Sequence, residues 1–101
     1  MGEWEFEGPV IEWRGPAPFV FVDIPQETSD ELKLAAAGVE YWGQVPVVAR
    51  IHGVSFFTAL FPKDGRYLLP VKKTAQRDAG VAVGDTVAVA LRVERHRPDG
   101  L

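Results

Sequence analysis

Two stretches of this chain, Phe19 to Ile51 and Tyr67 to Val93, follow one pattern: an apolar strand, a proline, a short helix, a glycine and a second strand. The first reads FVFVDIP, QETSDELKLAAAG and GQVPVVARI; the second reads RYLLP, VKKTAQRDAG and GDTVAVALRV. Two such units can pair so that each fills the other's missing strands, and closing the sheet on itself removes exposed edges. The expected fold is therefore mainly β with some helix (α+β). It is a single barrel domain over residues 1–101, made of two interlocked ββαβ units at approximately 3–51 and 54–94, with two short helices and a tail at 95–101.

Length and composition fit that picture. A chain of 101 residues makes one domain and buries roughly 65% of its unfolded surface, enough for one core without staples. A hydrophobic share of 47% and a charged share of 25% are those of an ordinary globular protein. Cysteine is absent, which excludes disulfides and thiolate metal sites and fits a reducing cytoplasm. No apolar run approaches the roughly 20 residues that span a bilayer, so no membrane partner is expected. The acidic start (Glu3, Glu5, Glu7) does not resemble a signal peptide. The net charge of −3 is unevenly spread: residues 1–49 hold nine acids and two bases, whereas residues 50–101 hold five acids and nine bases.

Residues 3–14 alternate Trp4 and Phe6 with Glu3, Glu5 and Glu7, a half-buried strand, with Gly8-Pro9 expected to form a bulge or a bend, best tolerated at an edge. Gly15 to Pro18 reads as a turn. FVFVDI is apolar on both faces and so is expected to be a central strand. After Pro25, Thr28 and Glu31 form a candidate capping box, and Gly38 a left-handed helix end. Gln44–Ile51 and Val54–Phe61 are strands joined at His52-Gly53, and Lys63-Asp64-Gly65 turns the chain back into Tyr67–Leu69. Pro70 is expected to open a helix over 71–79 that Gly80 ends, before a strand over Asp85–Glu94. The polar tail is expected to fray.

The sharpest candidate site lies on the second helix: Lys72 and Lys73 in its first turn, with Arg77 further along. Cations in a first helical turn oppose the helix dipole, so their presence there suits a bound anion such as phosphate or carboxylate. The competing account pairs these lysines with Glu3, Glu5 or Glu7, and the abundance of acids there favours it. His52 and His96 fall short of a metal-ligand set. Ser29 reads as a helix cap and Ser55 as a strand residue, not as nucleophiles. Gly80 and Gly84 lack any nucleotide-loop spacing, and Asp85 is expected to satisfy turn N–H groups. Glu3, Glu5, Glu7 and Glu12 read as a solvated strand face. Trp4, Trp13, Tyr41 and Trp42 read as core or rim packing, with Tyr41-Trp42 the expected exposed pair.

The segment FFTALFPKDGRYLLPVKKTAQRDAGVAVGDTVAVAL resembles the signature of a small bacterial family of unknown function, numbered nineteen-oh-five. Phe56, Leu60, Pro62, Gly65, Leu69, Pro70, Val71, Lys72, Arg77, Gly80, Gly84 and Asp85 carry the likeness, together with Trp13-x-Gly15 and Ile24-Pro25. It runs over roughly residues 3–94. The resemblance implies a double-split β-barrel similar to the AbrB and MazE folds, and implies no enzyme activity.

Taken together, these features lead to an expectation of a non-enzymatic binding or interaction module in the bacterial cytoplasm, with no catalytic residue, cofactor or metal. Its expected contact surface combines Lys72, Lys73 and Arg77 with Arg50, Arg66 and Arg92, and its partner is an anionic ligand or a protein. A nucleic-acid-binding or antitoxin-like regulator is the alternative by fold analogy, although net negative charge disfavours it. An enzyme of unknown type ranks last.

Overall fold

Strand-forming residues alternate through most of the chain, and six strands close into one barrel. The computed structural model describes residues 3–13, 19–38 and 44–101. The elements run β1 (Glu3–Trp13), β2 (Phe19–Asp23), α1 (Gln26–Ala35), β3 (Val45–Ile51), β4 (Val54–Lys63), β5 (Arg66–Pro70), α2 (Lys73–Ala79) and β6 (Thr86–Val93). Around the ring the order is β1-β2-β5-β4-β3-β6, and every neighbouring pair is antiparallel. A closed ring leaves no strand without a partner on either side.

The period-two pattern sets inside from outside. Phe6, Val10, Val22, Ile24, Val45, Val47, Ala49, Ile51, Phe56, Leu60, Tyr67, Leu69, Val87, Val89 and Leu91 form a continuous buried interior. The helices contribute to the same cluster, α1 through Leu32 with Ala36 just past its end, and α2 through Ala75 and Ala79. Both short helices are thus held by packing, since segments of 10 and 7 residues are too short to persist alone. Of Ala35, Ala36 and Ala37, only Ala36 is buried.

Several local expectations need correction. The register of β1 is uninterrupted at Gly8-Pro9, so no bulge forms there. Instead β1 pairs with β6 through residues 3–9 and with β2 through residues 10–13. Glycine is required at the changeover because a Cβ on Gly8 would lie 2.2 Å from the carbonyl oxygen of Asp23. Helix α1 begins at Gln26, earlier than a cap at Thr28 would allow: Pro25 is the N-cap and no side chain caps the helix. Proline's fixed φ and missing N–H suit a helix entrance, which displaces the Thr28–Glu31 box into the helix itself.

The other end of α1 closes at Ala36, and Gly38 takes its positive φ two residues later. Pro70 is the last residue of β5 rather than the first of a helix, and α2 starts at Lys73. Gly80 ends α2 in the left-handed region, as expected. Both hairpins also follow their sequence signals. His52-Gly53 and Asp64-Gly65 each place two consecutive residues at positive φ, the requirement of a type I′ turn. The tail folds back, with Arg97 over the ring of Phe57 at 5.7 Å and Leu101 lining a groove with Lys72 and Thr74. The Gly15–Pro18 turn and the Tyr41-Trp42 pair lie outside the described residues.

Candidate functional site

The basic residues do not gather into one surface. Lys72 and Lys73 are exposed and form no ion pair among the described residues. The anticipated pairing with Glu3, Glu5 or Glu7 is therefore absent, because the register of β1 sets those acids beside β6, opposite Arg92, Ala90 and Ala88. Arg77 reaches its neighbour Asp78 at 3.3 Å, and Arg92 reaches Glu94 at 2.6 Å. Arg66 reaches Asp23 at 3.4 Å and lines a groove with Lys33 and Lys63 around the β4–β5 turn. Lys72 lines a different groove with Ser55 and Asp78, and the two share no residue. Exposed pairs of this kind contribute about 0.2–1 kcal/mol each and hold no fixed geometry.

The serines and histidines are accounted for locally, though not always as expected. Ser29 is buried inside α1, where its Oγ accepts the backbone N–H of Tyr67 at 3.1 Å. It ties helix to sheet and caps nothing. The Nδ1 of His52 lies 2.8 Å from the carbonyl oxygen of Ala79, joining the β3–β4 turn to the end of α2. His96 is exposed in the tail, and Ser55 is exposed on β4 across from Arg50. Asp85 Oδ2 accepts the N–H of Ala82 at 2.9 Å, the turn role expected of it. Trp4 packs against the interior and donates its indole N–H to Glu31 Oε1 at 3.1 Å. Glu3, Glu5, Glu7 and Glu12 are exposed, as a solvated strand face should be.

A feature that the sequence reading missed lies on the outer face of β1, β2, β5 and β4. Trp13, Phe21 and Phe61 form a triangle of ring contacts with centroids 6.3–6.4 Å apart, and Phe19 joins Phe21 at 6.2 Å. The rings are tilted at 33–54°, within the offset and edge-on arrangements that aromatic quadrupoles favour. Phe21 is buried but does not belong to the interior cluster. It is the floor of a separate outer layer. Above it Trp13 is 46% exposed and Phe19 57% exposed. Lys63 Nζ sits 5.1 Å from the centre of the Trp13 ring, a cation–π distance. The rings, with Gln44, Thr58, Ala59 and Pro70, line a groove of about 350 Å³. The signal was present in FVFVDI, whose outward positions begin with Phe19 and Phe21. A strand with neighbours on both sides explains the inward half only.

Comparison with known families places the chain. The family described as Domain of unknown function (DUF1905) matches residues 6–91. The chain belongs to that family. The DUF1905 match begins at the first interior residue of β1, Phe6, and ends in β6 at Leu91, so it takes in most of β1 and β6, the other four strands and both helices. Phe21 and Phe61, the floor of the aromatic layer, lie within the matched DUF1905 span. None of the curated proteins matches the chain.

Proposed function

We propose that this chain is a non-enzymatic binding module whose contact surface is the aromatic groove on the outer barrel face. The carrying observation is the half-exposed pair Trp13 and Phe19 standing over Phe21 and Phe61. The interior is filled by its own residues, so these rings are not needed to complete the core. Exposed apolar clusters of this kind mark contact sites. A groove of about 350 Å³ with mainly apolar walls and few polar lining residues has the make-up of a small-molecule site. Ring-lined walls favour a planar aromatic ligand, and Lys63 over the Trp13 ring favours an anionic one, which can displace its 3.7 Å contact with the exposed Asp64. A thermal-shift screen of planar aromatic acids tests this reading. A hit should raise the melting temperature of the native chain by mass action and leave Trp13→Ala and Phe19→Ser unmoved. Hits that shift the variants equally would place the ligand elsewhere and overturn the assignment. Nucleic acid has less support, since Arg50, Arg66 and Lys72, expected together on one basic contact surface, line three separate grooves.

We also propose that the barrel is the double-split kind, two ββαβ units related by an internal repeat and similar in architecture to AbrB and MazE. Exchanging β1 with β4, β2 with β5 and β3 with β6 returns the same list of neighbours. The registers are compatible with this exchange. Aligning Ile24-Pro25 with Leu69-Pro70 shifts β2 onto β5 by 45 residues. The pairings then require β1 to shift by 52 (Glu3 onto Ser55) and β3 by 42 (Ala49 onto Leu91). The shift for β3 also aligns Val45-x-Val47-x-Ala49-Arg50 with Val87-x-Val89-x-Leu91-Arg92. We place the module in the bacterial cytoplasm, on its lack of cysteine and the family resemblance; fractionation of the native host checks this.

A further inference from the structure

The other side of the barrel carries a second groove, of about 450 Å³. Its floor is β6, which presents Ala88 and Ala90 where the flanking strands present long charged side chains. The registers fix its layout. Glu5, Ala90 and Arg50 form one row across β1, β6 and β3. Glu7 and Ala88 form the next row, and His52, two residues beyond Arg50, lines the groove on the β3 side. One wall is thus acidic and the other carries a cation and an imidazole, with alanines between them. Glu5, Glu7 and Arg50 form no ion pair among the described residues.

The hydrogen bond of His52 determines what it offers the groove. The carbonyl oxygen of Ala79 can only accept, so the nitrogen 2.8 Å away, Nδ1, carries the hydrogen. In the neutral ring Nε2 then holds the lone pair and acts as an acceptor. The groove therefore has two carboxylates on one wall, a guanidinium opposite the first, and the His52 imidazole on the side of the second. Its charge is one negative unit in excess, and it faces solvent.

We propose that this groove binds a free basic α-amino acid, of the lysine or arginine type. Such a molecule carries two cations and one carboxylate, the complement of the lining charges. Its α-ammonium group meets Glu5 and its α-carboxylate meets Arg50, along the first row. Its side-chain cation lies between the Glu7 carboxylate and the His52 acceptor, along the second. Glu5 and Glu7 are two residues apart on one strand, about 7 Å, a distance that the aliphatic stem of an extended basic side chain spans. Alanines leave room for that stem, where longer residues would fill the groove.

Backbone amide NMR of the whole chain, titrated with L-arginine and L-lysine to about 10 mM, enough to fill a millimolar site, tests the proposal. Saturable shifts centred on Ala88, Ala90 and His52 are expected. Agmatine, which lacks the carboxylate, and norleucine, which lacks the side-chain cation, should each bind about tenfold more weakly, the loss of one charge-assisted contact. Arg50→Gln and Glu7→Gln change exposed side chains and should each weaken arginine about tenfold while leaving the spectrum otherwise folded. Norleucine binding as well as lysine would overturn the proposal, as would no saturable shift or shifts centred elsewhere. The two grooves share no lining residue, so failure of the aromatic site leaves this test intact, and the reverse also holds.

Discussion

At the scale of single residues, two positions each meet the backbone of another element. Gly8 lets the carbonyl of Asp23 approach to where a methyl group would stand. Gly8→Ala is expected to cost at least about 1–3 kcal/mol, the range for forced overpacking, because the obstructing atom is backbone and cannot rotate aside; urea unfolding measures it. Ser29 is the only buried polar side chain among the described residues, and its oxygen satisfies the N–H of Tyr67. Ser29→Ala should cost about 1–3 kcal/mol by orphaning that donor. Thr28→Ala should stay within about 0.5 kcal/mol, whereas a true cap would cost about 1 kcal/mol. The Ser29 role was not legible in the sequence, because its partner lies 38 residues away. The capping box was legible but wrong: the same residue types fit a cap and a first helical turn, and Pro25 decided between them. Asp85 and Gly80 were read correctly because their partners are local.

At the scale of elements, the hairpins were the easiest parts to read. His52-Gly53 and Asp64-Gly65 carry turn chemistry that works over two residues. Strand β2 was half legible. Its apolar run marked a strand with neighbours on both sides, and β1 and β5 are those neighbours. Its outward rings formed a layer that no contiguous pattern announces, since Trp13, Phe19, Phe21 and Phe61 come from three strands. The layer has a buried floor and an exposed rim, and this division sets the expected energetics. Phe21→Ala should cost about 3–5 kcal/mol, as for a buried ring. Trp13→Ala should cost about 1 kcal/mol, the worth of its ring contacts, while abolishing ligand binding at the groove. Thermal melts of the two variants, run with the ligand titration, separate stability from recognition. The basic helix start shows the opposite limit: charge types are readable in sequence, but whether Lys72, Arg66 and Arg92 share a face depends on the ring order.

At the scale of the whole molecule, the pairing of β1 with β6 brings Glu3 opposite Arg92. With the tail after Val93 removed, the neighbouring ends of β6 and β1 can be joined by a short connection, and the His52-Gly53 turn can be opened in exchange. Under the proposed two-unit architecture the rearranged chain keeps the order ββαβββαβ, so it should fold to the same ring. Its amide spectrum should match that of the parent except near the old and new termini. A permuted chain that stays unfolded while the parent folds would count against equivalent halves. The ring has a further consequence for how this protein can change over evolutionary time. A sheet with an open margin can grow by annexing a strand, or borrow one from a partner. A hoop of six cannot do either without breaking. Diversification is thereby confined to side chains on the outer surface and to the connecting loops, and relatives with different ligands should share nearly the same lumen while differing on the outside.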